Sequence, residues 1–291
     1  MLIKNVNYLI ISPVRNEEKY IGKTIQSVLS QTVKPKKWII VNDGSTDNTS
    51  DIVKEYSSKH DWMELMEKSN RGYAEPGRGV IEAFYFGYDK INIDNYDYVV
   101  KLDGDLEFQS NYFESIFLEF NKNDRLGIAS GICLIHKNDK LVQEKHPEFH
   151  TRGPSKIYRK ECWKDIGGLV KHIGWDFIDE MKAQFLGWET KSFQNLHLIH
   201  FKPTGYNTGV FKQTVMLGKA NYYCGYHPLF IIAKSIKRMA EPPYMIGGIG
   251  LLYGFLYNYI NKYDRMKDKK LIKFIRREQI RKLTFRKSIW D

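Results

Sequence analysis

Val99-Val100-Lys101-Leu102-Asp103-Gly104-Asp105 is the stretch on which the rest of the chain is read. Its first half is apolar and β-branched, the composition of a buried strand. It then breaks into two aspartates separated by the one residue without a side chain. Side chains alternate along extended backbone, so carboxylates at i and i+2 share a face. Two acids at the carboxyl end of a strand suit a hard divalent cation, Mg²⁺ or Mn²⁺, which takes oxygen ligands and bridges to phosphates. Gly104 is expected to let the backbone turn and a ligand approach closely. An isolated Asp-Gly-Asp is also an ordinary turn, so its neighbours decide.

Upstream, Tyr8 to Ile11 reads as a first strand stopped at Ser12-Pro13, and Ile21, Ile25, Val28 and Leu29 fall on one helical face. Trp38 to Val41 reads as a second strand. The loop Asn42-Asp43-Gly44-Ser45-Thr46-Asp47 then leads into a helix carrying Ile52, Val53 and Tyr56. Strand, loop and helix repeated in this order predict a parallel α/β sheet with ligands at the carboxyl ends of its strands. The Pro13 loop, the Asp43 loop and the two aspartates all fall at that edge. Between Asn70 and Gly79 a glycine-rich loop opens onto a helix, with Arg71 and Arg78 suited to phosphate. It has neither the P-loop lysine pattern nor GxGxxG after a strand.

Three motifs in order, Ser12-Pro13-Val14-Arg15-Asn16-Glu17-Glu18, Val41 to Asp47 and Leu102 to Asp105, resemble those of the family 2 glycosyltransferases. The resemblance runs over about residues 5–205. It implies an α/β chain of GT-A type, Rossmann-like, with a mixed, mainly parallel sheet flanked by helices. It implies an inverting, metal-assisted transfer from a nucleotide-sugar, UDP-sugar favoured and GDP-sugar possible. It assigns Pro13, Val14, Arg15 and Glu17 to the nucleoside pocket, Asp43 to the base, and Asp103 to ribose and metal-bound water; Arg78, from its place after the glycine-rich loop, is added to the nucleotide-sugar site. Asp105 becomes the metal ligand, with His200 completing the metal shell or touching diphosphate. The expected cofactor is Mn²⁺ or Mg²⁺.

Residues 1–205 then form the catalytic domain, with a nucleotide-sugar half to about 105 and an acceptor half over 106–205. In the second half, Gly174-Trp175-Asp176-Phe177-Ile178-Asp179-Glu180 opens a helix ending near Gly187. The resemblance places Asp176 on the general base, with Trp175 where the family usually has glutamate; Asp179 and Glu180 compete for the role. A carboxylate is required there because an acceptor hydroxyl is a weak nucleophile until its proton is taken. No Gln-x-x-Arg-Trp stretch follows, which points to non-processive transfer to a glycan or lipid-linked acceptor. The competing expectation is an inactive nucleotide-sugar-binding or membrane-scaffold protein.

The composition is globular, 42% hydrophobic and 14% aromatic over 291 residues. Three scattered cysteines give no disulfide framework and suit a reduced setting. The net charge of +11 gathers toward the end of the chain. Residues 206–291 are expected to form an aromatic and basic helical region. Its segment from Tyr244 to Ile260 is borderline for a membrane span, and Lys267 to Lys287 reads as a basic amphipathic helix. The expected location is the cytoplasm, peripheral on the inner face of the cell membrane, with an anionic surface meeting residues 229–291. No nucleic-acid recognition motif is present.

Overall fold

Residues of the first strand alternate between two cores. Tyr8 and Ile10 face one apolar cluster with Trp38, Ile40 and Val100, while Leu9 and Ile11 face a second with Ile39, Val41 and Val99. A strand buried on both faces needs near-continuous hydrophobic sequence, and that is what these runs supply. The computed structural model describes residues 6–290 except 74, 76, 138, 139, 145 and 203–208. The chain divides into two units, Met1–Lys202 and Pro203–Asp291. The domain boundary expected at 205 falls among 203–208, outside the described residues.

The first unit is a nine-stranded sheet. β1 (Tyr8–Val14), β2 (Lys37–Asn42), β3 (Met63–Glu67) and β4 (Tyr98–Leu102) pair in parallel. They are joined through α1 (Ile21–Leu29), α2 (Thr49–Ser57) and α3 (Arg78–Tyr88). Then come β5 (Leu106–Phe108), α4 (Tyr112–Lys122), β6 (Leu126–Lys137), β7 (Lys140–Gln143) and β8 (Ser155–Arg159). The unit closes with α5 (Lys160–Ile166), α6 (Trp175–Phe185) and β9 (Glu189–His200). β8 lies antiparallel to both β4 and β6, β6 pairs parallel to β9, and β5 and β7 add antiparallel ladders. The sheet is mixed, as the resemblance implied. Among the described residues the parallel ladders β1–β2, β1–β4, β2–β3 and β6–β9 together run longer than the antiparallel ones, so parallel pairing predominates. The parallel expectation came from the strand–helix repeats, which stop at β4; beyond it a strand returns beside β4 and reverses direction.

The second unit holds α7 (Val210–Tyr223), α8 (Pro228–Met239), α9 (Ile246–Ile260) and α10 (Lys269–Leu283). Glycines on α9 allow close backbone approach. A Cβ at Gly250 would meet Thr214 Oγ1 at 2.2 Å, one at Gly254 would meet the Val215 carbonyl at 2.0 Å, and one at Gly248 would meet the Ser235 carbonyl at 2.3 Å. α9 therefore packs its glycine face on α7 and α8. Among the described residues no helix is long and apolar enough to cross a membrane.

Candidate active site

The carboxyl ends of β1, β2 and β4 lie side by side, because Pro13 pairs with Val41 and Ile11 with Lys101. Their loops are laced by short polar contacts. The Asp43 N–H donates to the Val14 carbonyl at 2.8 Å, the Asn16 N–H to Ser45 Oγ at 2.9 Å, and the Glu17 N–H to Thr49 Oγ1 at 2.8 Å. Asn16 takes φ 54°, the left-handed region that asparagine tolerates, and its side chain accepts from the Thr46 N–H at 2.8 Å.

Gly104 explains how the aspartate loop meets the first loop. A Cβ there would lie 2.7 Å from Val14 Cγ1, 3.2 Å from Ile21 Cδ1 and 3.4 Å from Glu17 Cγ. Its φ is not positive. The missing side chain makes room for the close approach of the first loop and α1.

Asp105 is buried, with an Oδ2 that accepts from the Lys202 N–H at 2.9 Å and lies 3.4 Å from His200 Nε2. The antiparallel pairing of β5 with β9 sets His200 opposite Leu106 and so delivers it to Asp105. Asp103, Asp105 and His200 offer ligand atoms all within 4.8 Å of one another. His200 Nδ1 and Glu17 Oε2 are buried without a hydrogen-bond partner. Two carboxylates and an imidazole, with orphaned polar atoms beside them, form a donor set that fits Mn²⁺ or Mg²⁺.

Glu17 pairs with Lys202 at 2.5 Å. Burial and the charge of Asp105 push its carboxyl up to about 8, against the pull of Lys202. Positive charge placed between these acids would reverse that penalty. His200 also neighbours Cys133 and Glu144. There burial pushes the Cys133 thiol up to about 12, and Glu144 is paired with Arg152.

Asp43 is nearly buried and heavily engaged. Arg71 Nη2 donates to both its oxygens at 2.7 and 2.6 Å, and Lys68 Nζ to one at 3.0 Å. Arg15 reaches the Asp43 carbonyl and Asn70 Oδ1, the latter at 2.8 Å. Arg71 thus secures the Asp43 loop. Arg78 sits on the exposed first turn of α3 and pairs with Glu82 at 2.7 Å; its contacts do not gather it with Asp103, Asp105 and His200.

Of the three acids at the start of α6, two are interior. Asp179 accepts from Lys156 Nζ at 2.9 and 3.0 Å and from the Tyr158 hydroxyl at 2.6 Å. Glu180 accepts from the Thr151 N–H at 2.7 Å and hydroxyl at 2.6 Å, and meets His150 Nδ1 at 2.8 Å. Burial raises Asp179 to about 6. Burial also works against Glu180, but His150 and Lys156 outweigh it and hold that carboxyl below its usual range. Asp176 alone of the three is partly exposed. Its Oδ2 lies near Gly153, where a Cβ would stand 3.6 Å away. Gly153 leads into Pro154, whose carbonyl accepts from the Asp103 N–H at 2.8 Å. Asp176 and Asp103 thus lie on either side of one short backbone segment.

Lys202, Lys101 and Lys156 were missed in the sequence. A lysine following a histidine strand, or one inside a strand, reads as solvated or edge chemistry until pairing places it.

Acids and a histidine thus gather at the strand ends of a mixed α/β sheet. Residues 9–177, more than half of the chain, match the family described as Glycosyl transferase family 2, and the chain belongs to that family. A poly-β-1,6-N-acetyl-D-glucosamine synthase from Staphylococcus epidermidis is 33% identical over 128 residues, 44% of this chain and 28% of that protein. The match thus covers less than a third of that relative. Among solved structures, the mannosyltransferase PcManGT from Pyrobaculum calidifontis, in complex with GDP-Man and Mn²⁺, is 16% identical. It superposes with TM-score 0.56 over 88% of this chain and 71% of that one. S. aureus TarS 1-349 in complex with UDP-GlcNAc is 18% identical, with TM-score 0.54 over 90% and 74%. These likenesses show the GT-A type of fold.

Proposed function

We propose that the chain is an inverting, non-processive glycosyltransferase that moves a sugar from a nucleotide-sugar to a hydroxyl of a glycan or lipid-linked acceptor. One observation carries this reading: Asp103, Asp105 and His200 converge at the strand ends, with the partly open Asp176 across the Gly153 segment. Pro13, Val14, Arg15 and Glu17 line the nucleoside side, with Asp43 at the base and Asp103 near the ribose. Asp103, Asp105 and His200 would hold a divalent cation, which would supply positive charge to the leaving diphosphate. Asp176 accepts the proton of the acceptor hydroxyl as the new glycosidic bond forms, and attack from its side, opposite the diphosphate, inverts the anomeric centre. Asp179 and Glu180 already have full sets of buried partners, which favours Asp176 as the base. Arg78, placed in the donor site from its glycine-rich loop, is paired with Glu82.

UDP-sugars are favoured and GDP-sugars possible, since one structural neighbour was solved with UDP-GlcNAc and another with GDP-Man. The test is a screen of nucleotide-sugars for Mn²⁺-dependent thermal stabilisation, followed by turnover of the stabilising donor. Stabilisation without transfer or hydrolysis of any donor would turn the reading toward a binding protein.

The second unit supports peripheral attachment to the inner face of the cell membrane. It holds 17 of the 45 Lys and Arg residues but only five of the 34 Asp and Glu residues, more than the whole chain's net charge of +11. Lys269, Lys273, Arg276, Arg277, Arg281 and Arg286 line a groove of about 740 Å³ along α10. Ile246, Ile249, Tyr253, Leu256, Tyr257 and Ile260 form one exposed stripe on α9, opposite its glycines. Basic charge alone serves nucleic acid equally well; an exposed apolar stripe in the same unit favours anionic lipid.

A further inference from the structure

Lys101 of β4 and Lys156 of β8 stand directly opposite each other in the antiparallel ladder, so both side chains leave the same face of the sheet. Both are buried, at 2% and 0% exposure. Like charges directly opposed repel, and each buried ammonium carries a desolvation penalty of several kcal/mol unless it is paired. Each lysine has its own acceptors. Lys101 Nζ donates to the Asp103 carboxylate and, at 2.9 Å, to the Gly153 carbonyl. Lys156 Nζ donates to the main-chain carbonyl of Asp176 and to both Asp179 oxygens, and lies 2.9 Å from Glu180 Oε1.

Trp175 joins the two. Its ring centroid lies 5.2 Å from Lys101 Nζ and 5.4 Å from Lys156 Nζ, both within cation–π reach. The indole is buried at the first position of α6, immediately before Asp176. A Cβ on Gly153 would sit 3.5 Å from its ring, so the ring also backs the segment between Asp103 and Asp176. An indole contacts two ammonium groups without adding another carboxylate beside Asp176.

We propose that Trp175, in contact with Lys101 and Lys156, is a positioning residue that fixes the Asp176 carboxylate relative to the Asp103 loop. Lys101 carries the link to Asp103, Lys156 the link to the Asp176 backbone, and the indole couples them. The inference rests on Asp176 being the base. Its consequence is geometric: displacing a reacting group by about 1 Å costs on the order of a hundredfold in rate.

The test measures UDP-GlcNAc hydrolysis with Mn²⁺, water taking the acceptor's place, in the full chain with Trp175→Leu, Trp175→Phe and Lys101→Met. Trp175→Leu is expected to lower kcat about 10- to 100-fold, with donor KM within about twofold. Trp175→Phe, which restores a ring face, recovers most of that loss. Unchanged kcat, a loss confined to donor KM, or Phe no better than Leu overturns the proposal. Should Trp175→Leu not fold, the double variant of Trp175→Phe with Lys101→Met decides: losses that are less than additive support coupling, and additive losses overturn it. Asp176→Asn runs in parallel. If it stays active, the base assignment falls and the inference with it; if it is inactive while Trp175→Leu is fully active, the inference alone falls.

Discussion

His200 Nε2 stands 3.4 Å from Asp105 Oδ2 because the three-residue strand β5 pairs with the last residues of β9. A short ladder thus delivers an imidazole to the strand-end acids, where Asp103 completes the set. On the proposed reading, loss of His200 would leave two carboxylates to hold the cation. His200→Gln is expected to weaken Mn²⁺ binding by at least about tenfold, measured by titration with electron paramagnetic resonance of free Mn²⁺. Asp105→Asn is expected to remove Mn²⁺-dependent stabilisation. Unaltered Mn²⁺ affinity in both variants would mean that the cation, if any, binds elsewhere.

Neighbouring acids on α6 should respond in opposite ways. Asp176 is partly exposed and faces the Gly153 segment, so Asp176→Asn should cost about 10²- to 10⁴-fold in turnover while melting temperature and donor affinity stay put. Asp179 is buried between Lys156 and Tyr158. Removing its charge leaves Lys156 undercompensated, and Asp179→Asn should cost about 3 kcal/mol of stability. Denaturant unfolding of the two variants beside wild type checks both. If Asp179→Asn keeps full stability and loses turnover instead, the two roles are reversed.

Lys234 of α8 lies over the Tyr226 ring, 5.3 Å from its centroid, and burial pushes its ammonium down to about 8. The folded state therefore holds this proton less tightly than the unfolded chain, where lysine titrates near 10.4. Below about 8 both states are protonated and the fold bears the cost of a partly buried charge. As pH rises from 8 toward 10.4 the native lysine is neutral first, and the cost disappears. Lys234→Met should accordingly raise the melting temperature at pH 7, and its advantage should shrink steadily to pH 10. A gain independent of pH would trace the effect to packing instead.

The first half of the fold was legible because its signals are local. β1, β2 and β4 are largely apolar runs, and each ends in polar loop residues at the carboxyl edge of the sheet. Pro13, Asp43 and Asp103 follow from that pattern alone. What escaped depends on pairing between distant strands. Nothing near Lys101 or Lys156 announces that β4 and β8 will set them face to face. Nor does the sequence around Lys202 show that its N–H will reach an aspartate 97 residues away. Arg78 looked like a phosphate ligand because a glycine-rich loop precedes it, yet its nearest acid is Glu82, one helical turn on. Local i,i+4 pairing competed with the ligand role and was available from the spacing. In α9 the glycines form a packing face that depends on the placement of α7 and α8.

That packing face fixes which side of α9 is left open. Gly248, Gly250 and Gly254 abut α7 and α8, so Ile249, Tyr253 and Leu256 point the other way and stay exposed. Six exposed apolar or tyrosine residues on one stripe carry a standing cost in water, which an interfacial site relieves; tyrosine suits the headgroup depth. Burying each side chain contributes on the order of 1–2 kcal/mol. The triple variant Ile249→Ser, Tyr253→Ser and Leu256→Ser should therefore lower partitioning onto phosphatidylglycerol-containing vesicles by at least about a hundredfold. Lys273→Glu with Arg277→Glu should weaken binding mainly at low salt, since each cation near the surface contributes about 1 kcal/mol that salt screens. Flotation with vesicles of phosphatidylcholine alone separates the two contributions, because only the apolar one persists there. Vesicle binding untouched by the triple serine variant, or displaced by duplex DNA, would remove the lipid-facing role from α9 and leave the basic groove to another polyanion.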